Sequence, residues 1–219
     1  MIYATMCIGE EWCKKYSDDI NKLGSKKTTH VLTDFPKYFD KCKVKKYNRD
    51  IFSYYEKLPF TLNLMIDSKD RVVFVDADFV HSDEIKGLVD NRYNLDKESV
   101  YSINIYDTKS FPKSFVLSNP SYTELMNIYD SYNYELFPKY LHERLFSLPY
   151  KKNQTEQMLN EIVEMQTIFE ERYYKGRVWP DGHQNQRWSD AGCGYAEGGA
   201  LSIIVHNLNI PTIKLKKLL

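Results

Sequence analysis

The segment Asp70-Arg71-Val72-Val73-Phe74-Val75-Asp76-Ala77-Asp78-Phe79 decides the fold class of this chain. The nearly continuous apolar run from Arg71 to Val75 is typical of a central strand that is covered on both faces of a sheet. Two carboxylates follow it, separated by one small residue. Alternation along a strand predicts that Asp76 and Asp78 face the same point at its carboxyl end. Open α/β sheets bind their ligands at that edge.

This pair of acids suggests a metal site. Two carboxylates so close together repel each other unless a cation or a shared proton relieves them. A Mn²⁺ or Mg²⁺ ion held by one or two carboxylates, with substrate phosphates completing its coordination, is the expected solution. The apolar residues on both sides of Asp76 and Asp78 favour this interpretation, because acids in apolar surroundings are costly without a partner. A surface turn after a strand is the alternative for so short a pattern.

Strands and helices alternate along the rest of the chain. Apolar runs predict strands at 2–8, 29–33, 43–47, 71–75, 99–105 and 212–215. Helical patterns are found at 12–23, 60–66, 122–129, 152–174 and 197–208. This order predicts a single α/β domain over residues 1–219, with a Rossmann-like, mainly parallel central sheet flanked by helices.

Composition excludes several classes of protein. Lys plus Arg and Asp plus Glu number 30 each, so the formal net charge is zero, and we expect no nucleic-acid partner. The four cysteines form no CxxC pair, which favours a reducing compartment over a zinc site or a disulfide framework. No apolar run approaches the roughly 20 residues of a transmembrane helix, and the first residues do not resemble a signal peptide. We therefore expect a cytoplasmic protein.

The segment that ends in Asp76-Ala77-Asp78 is similar to the strand and metal motif of the GT-A glycosyltransferases. In that family the two aspartates hold manganese or magnesium against the diphosphate of a nucleotide-sugar donor. The order of segments is similar too: a first strand near Tyr3, a second ending in Thr33-Asp34, and a helix before the metal strand. The resemblance implies a GT-A fold, with a nucleotide-binding half at about 1–98 and an acceptor-side half at about 99–219. It also implies transfer of a sugar, with UDP favoured, to a hydroxyl of a glycan or similar acceptor.

The resemblance implies roles for residues near the donor. The first strand of the family lines the nucleoside, which assigns Tyr3, Ala4 and Thr5 to that task, although Tyr3 fits a core position equally well. Lys57, in the segment before the metal strand, is a candidate cation on the phosphate side. A lysine on a solvated helix face is the alternative for it.

Candidates on the acceptor side lie near the C-terminus. The stretch 194–202 resembles the family's acid at a helix start, so Glu197 is the candidate base that deprotonates the acceptor, and Asp190 is a second candidate. A helix-capping carboxylate explains Glu197 equally well. Many members use a C-terminal histidine as a metal ligand, which makes His206 a candidate. The loop 179–188 is rich in Trp, Asn, Gln and His, which are side chains that bind sugars.

Two other functions compete with this one. A phosphatase of the haloacid dehalogenase type also ends a strand in Asp-x-Asp and uses the first Asp as its nucleophile, although there the motif normally opens the chain. A non-catalytic, carbohydrate-binding domain with a GT-A-like fold is the second alternative. The donor base and sugar, the acceptor, the stereochemical outcome and the oligomeric state are not determined by the sequence.

Overall fold

The computed structural model describes residues 1–48, 54–107, 139–142, 144–173 and 196–215. Its strands are β1 (Ile2–Met6), β2 (Thr29–Thr33), β3 (Lys43–Lys46), β4 (Val72–Val75), β5 (Val100–Ser102), β6 (Ile105–Asp107), β7 (Lys139–Leu141), β8 (Leu145–Leu148) and β9 (Thr212–Lys214). Its helices are α1 (Glu10–Lys26), α2 (Lys57–Ser68), α3 (Asp83–Val89), α4 (Lys152–Tyr173) and α5 (Ala196–Asn207).

Seven of the strands form one sheet in the order β3-β2-β1-β4-β8-β5-β9. Strands β3, β2, β1 and β4 are parallel neighbours, and β9 is parallel to β5. Strand β8 is antiparallel to both β4 and β5, and among the seven described strands of this sheet it is the one whose direction is opposite to the rest. The sheet is therefore mixed, and it differs from the expected mainly parallel sheet by this one inserted strand, which the sequence did not predict.

The structure confirms strand 29–33 and the terminal strand and helix patterns to within a few residues. The strand expected at 99–105 is instead two strands, β5 and β6. The chain bends between them, where the Ser102 hydroxyl is within hydrogen-bond distance of the carbonyl oxygens of Asn104 (2.8 Å) and His142 (3.0 Å). Because of this bend, β6 leaves the main sheet and pairs antiparallel with β7. The helix predicted at 122–129 lies outside the described residues.

Helices cover both faces of the sheet. On one face α2, α4 and α5 pack against side chains such as Ala4, Phe74 and Phe146, and the rings of these two phenylalanines stack with 5.2 Å between their centroids. On the other face α1 and α3 pack against Val73 and Val75. Successive residues of β4 thus enter opposite cores, which explains its uninterrupted apolar run.

Helix α1 lies close to the chain that leads into β3. At Gly24 a Cβ atom would lie 2.5 Å from the carbonyl oxygen of Lys41 and 2.6 Å from the Cys42 sulfur. The Asn21 side chain joins the same segments, because its amide donates to the Tyr38 carbonyl at 2.8 Å. The absence of a side chain at Gly24 therefore permits this close approach. None of the helices in the described part of the chain combines the length and the apolar character needed to cross a membrane.

Candidate functional site

In open α/β sheets ligands bind at the edge where the parallel strands end. The first four strands are ordered β3-β2-β1-β4. Strands β2 and β3 extend the sheet on one side of β1, whereas β4 lies on the other side, so the order of the strands reverses between β1 and β4. In doubly wound sheets a crevice forms at this point, outside the carboxyl ends of the strands. Asp76 immediately follows β4 at this edge. Strand β8 is antiparallel to β4, and it therefore begins where β4 ends.

Asp76 forms an ion pair with a buried lysine. Lys57, the first residue of α2, is 2% exposed, and its Nζ lies 3.1 Å from Asp76 Oδ1. The same Nζ lies 5.5 Å from the centre of the Phe74 ring. A buried ammonium group is costly without a charged partner. Its place at a helix N-terminus, which carries positive partial charge, adds to that cost. The Asp76 carboxylate therefore stabilises Lys57 in the folded chain.

Asp78 forms a second, more open ion pair. The strand ends at Val75, and Ala77–Phe79 form a 3-10 turn, so alternation along a strand does not set the direction of Asp78. Its Oδ2 accepts a hydrogen bond of 2.9 Å from Arg144 Nη2, and Arg144 is 45% exposed. The Asp76 backbone N–H donates to the Arg144 carbonyl at 2.8 Å, which fixes the arginine beside the turn. Asp76 and Asp78 are thus each paired with a cation.

His142 lies next to this charged group. Its Nδ1 accepts a hydrogen bond of 3.2 Å from the Arg144 backbone N–H. Burial lowers the pKa of His142, and the positive charges of Arg144 and Lys57 lower it further. Neither His142 nor Arg144 was predicted from the sequence to belong to this site. The pairing of β8 with β4 is what brings them here, so they could be found only by recognising β8 as a strand.

The loop after β1 is held by Asp34, the residue that directly follows β2. Gly9 has a φ of 90°, which favours glycine, and it precedes the first residue of α1. Its backbone N–H lies 2.9 Å from Asp34 Oδ1, and Asp34 directly follows β2. The next residue, Glu10, accepts hydrogen bonds from Tyr38 and Lys37, which lower its pKa to about 2. This loop lies at the same edge as Asp76, one strand away.

The three residues assigned to the nucleoside lie inside the sheet. Tyr3, Ala4 and Thr5 are each 0% exposed, with Ala4 in one core and Tyr3 in the other. The Tyr3 hydroxyl and the Thr5 hydroxyl are buried and have no hydrogen-bond partner in the described structure. Burial raises the pKa of Tyr3 above its ordinary value. These three side chains of β1 are therefore buried, whereas Gly9, in the loop that follows β1, is partly exposed.

The described structure does not test the candidates near the C-terminus. Glu197 is the second residue of α5, and Asp190 and the loop 179–188 lie outside the described residues. His206 is exposed in the last turn of α5 and lines a cavity of about 290 Å³ with Asn209 and other residues. Across the described ranges no three or more His, Cys, Asp or Glu side chains form a group that could hold a metal. A metal on Asp76 and Asp78 would therefore need further ligands from a substrate, from water or from the undescribed segments.

Comparison with known proteins assigns this chain to no family. No protein-family model matches the chain, and no curated protein matches its sequence. A solved structure, that of the glycosyltransferase GlyE in Streptococcus pneumoniae TIGR4, aligns over 95% of this chain with a TM-score of 0.30 and 8% sequence identity. This chain covers 63% of that one. A likeness of this size carries no argument about fold or function.

Proposed function

We propose that the chain is a glycosyltransferase that uses a nucleotide-diphosphate sugar together with Mn²⁺ or Mg²⁺. The observation that carries this proposal is the set of paired charges at the ligand-binding edge, Asp76 with Lys57 and Asp78 with Arg144. A diphosphate with its divalent cation offers both signs of charge within a few ångströms. Its cation suits the carboxylates, and its phosphate oxygens suit the ammonium and guanidinium groups.

The ion pairs also explain how these four charged side chains are stabilised when no ligand is bound. Each carboxylate neutralises a neighbouring cation, so Lys57 tolerates its buried position at the start of α2. In the complex we expect Asp76 and Asp78 to hold the metal, and Lys57 and Arg144 to bind phosphate oxygens. The metal would supply charge stabilisation for the departing nucleotide diphosphate. The protein's own cations contribute to the same stabilisation.

The nucleoside and the acceptor fit on either side of this group. The loop at Gly9, with the Asp34 carboxylate behind it, is the part of the β1–β2 edge that a nucleoside would contact. On the acceptor side we retain Glu197, at the start of α5, as the base that removes a proton from the acceptor hydroxyl. UDP as the nucleotide, a glycan or similar acceptor, and a cytoplasmic location belong to this proposal.

Calorimetric titration with UDP and with GDP, in the presence and absence of Mn²⁺, tests the proposal. We expect nucleotide binding that requires the metal and is lost in Asp78→Ala. Asp19→Ala is a control, because Asp19 also forms an ion pair, with Lys22 on α1, but lies outside the site. It should bind as the wild type does.

Two results would contradict the proposal. Nucleotide binding that is independent of the metal and unchanged in Asp78→Ala would remove the role given to the aspartates. Hydrolysis of p-nitrophenyl phosphate that disappears in Asp76→Asn would instead favour the dehalogenase-type phosphatase. Metal-dependent UDP binding together with hydrolysis or transfer from a UDP-sugar would support the transferase.

A further inference from the structure

Strand β3 forms an exposed edge of the main sheet. All four of its residues, Lys43–Lys46, are exposed, and within the described residues its only partner strand is β2. Even Val44, the apolar member, is 38% exposed. Because all four of its residues are exposed, this strand differs from β1, β2 and β4, whose residues are mostly buried.

This edge concentrates positive charge in a chain whose formal net charge is zero. We call the lysines of β3 and its approach, Lys41, Lys43, Lys45 and Lys46, the β3 lysine edge. Lys26 and Lys27 lie at the end of α1, which contacts the same segment through Gly24. Lys41 pairs with Asp40 at 3.1 Å. No ion pair is found for the other five lysines in the part of the chain that the structure describes. The field of this edge also reaches His30, whose pKa is lowered by burial and by the charge of Lys43.

The lysines lie on both sides of the strand. Successive residues of a strand point to opposite faces, so Lys43 and Lys45 share one face and Lys46 lies on the other. A flat surface that meets the sheet edge-on can therefore be reached by both rows of side chains. The strand offers a contact about 13 Å long at about 3.3 Å per residue, and the long lysine stems allow the ammonium groups to reach forward to a plane.

We propose that the β3 lysine edge docks this protein, edge-on, on a membrane surface rich in anionic phospholipids. The charge is complementary, because the cytoplasmic leaflet carries anionic headgroups that attract clusters of lysines. The cations of the described edge are all lysines, and a lysine is a hydrated point charge suited to a diffuse headgroup layer rather than to planar, bidentate recognition. It presents no exposed aromatic ring on which a single-stranded nucleic acid would stack, since Tyr47 at its end is buried.

Edge-on docking would place the candidate site close to the membrane. Asp76 follows β4, and β4 is the third strand from β3 in the sheet order. At about 4.8 Å per strand the site lies about 14 Å from the docked edge. If the chain is the glycosyltransferase proposed above, this height suits an acceptor carried on a lipid headgroup. This consequence rests on the proposed function, whereas the docking itself does not.

Vesicle flotation at about 0.1 M salt tests the docking. We expect the wild-type chain to bind phosphatidylcholine vesicles that contain about one third phosphatidylglycerol, and to be released at about 1 M salt. The variant Lys43→Gln/Lys45→Gln/Lys46→Gln should lower the partition coefficient about 125-fold, because each lysine near such a surface contributes about fivefold. A matched control, Lys86→Gln/Lys97→Gln/Lys152→Gln, removes the same charge from exposed lysines elsewhere and should retain most of the binding.

Lysines on an edge strand also discourage pairing with another chain, and that role needs no membrane. Equal partition into pure phosphatidylcholine vesicles, an equal loss in the control variant, or retention of an RNA oligonucleotide in place of vesicles would each overturn the proposal. The substituted lysines are exposed, so a thermal midpoint equal to that of the wild type would show that each variant is folded. No nucleotide or metal is present in this assay, so its failure is distinct from a failure of the proposed function.

Discussion

Asp76→Asn and Asp78→Asn make the same chemical change next to two different cations. Asp76→Asn leaves the Lys57 ammonium, 2% exposed, without its carboxylate at 3.1 Å. Asp78→Asn leaves the Arg144 guanidinium, which is 45% exposed and can bind water instead. We therefore expect the first variant to lose far more stability than the second, although both should lose metal-dependent nucleotide binding.

The expected magnitudes follow from these exposures. Removing one partner of a buried ion pair costs about 3–5 kcal/mol. Asp76 itself is 29% exposed, so we take the lower end, about 3 kcal/mol. An exposed pair is worth about 0–1 kcal/mol, and we expect about 0.5 kcal/mol for Asp78→Asn. In a chain of this size 1 kcal/mol moves the thermal midpoint by about 2–4 °C. The midpoints should therefore fall by about 6–12 °C and about 1–2 °C respectively.

Thermal unfolding followed by circular dichroism, without metal or nucleotide, measures both shifts. The double variant Lys57→Met/Asp76→Asn is the internal control. It removes both charges and keeps the buried volume, so it should recover most of the loss seen in Asp76→Asn. Equal shifts in the two single variants, or no recovery in the double variant, would refute the reasoning from the burial of Lys57.

Three further predictions concern stability. Tyr3→Phe removes a buried hydroxyl that has no partner in the described structure, and it should raise the free energy of unfolding by up to about 1 kcal/mol and the thermal midpoint slightly. Tyr101→Phe loses hydrogen bonds of 2.9 Å and should lower the thermal midpoint. Gly24→Ala should destabilise the chain by about 1–3 kcal/mol in urea unfolding, because its Cβ would overlap the carbonyl oxygen of Lys41 and this outweighs the better helix propensity of alanine. The lowered pKa of His142 means that the unfolded chain takes up a proton first as the pH falls below about 6.5. Stability should therefore decrease from pH 7 to about pH 5, and less steeply in His142→Gln.

Patterns within one segment were sufficient to predict much of the fold. The apolar run that ends at Val75 has no polar position, and both of its faces are indeed covered by helices. The pattern 152–174 matches α4 because its apolar residues recur at helical spacing over many turns. Strand β8 was missed because Leu145–Leu148 is only four residues long. Its pairing with β4 joins residues about 70 positions apart in the sequence.

The same limit applies to the candidate site. Asp76, Asp78 and Lys57 were predicted as site residues from their sequence context, and the structure brings Lys57 and Asp76 into contact. Arg144 was missed because its place beside Asp78 depends on the β4–β8 pairing. Tyr3 illustrates the opposite case. Position on the first strand does not separate a side chain in the core from one that meets a ligand, and Tyr3 is fully buried.

The insertion of β8 between β4 and β5 has a consequence during synthesis. Once Val75 has been made, β4 can pair with β1, but its other edge has no partner until Leu148 is added, 73 residues later. At 5–20 residues per second the ribosome needs about 4–15 s for that stretch. An unpaired edge on an apolar strand is a template for wrong pairing with another chain. We therefore expect the nascent chain to depend on chaperones in this interval, and truncation before Leu145 to yield aggregates rather than a smaller folded unit.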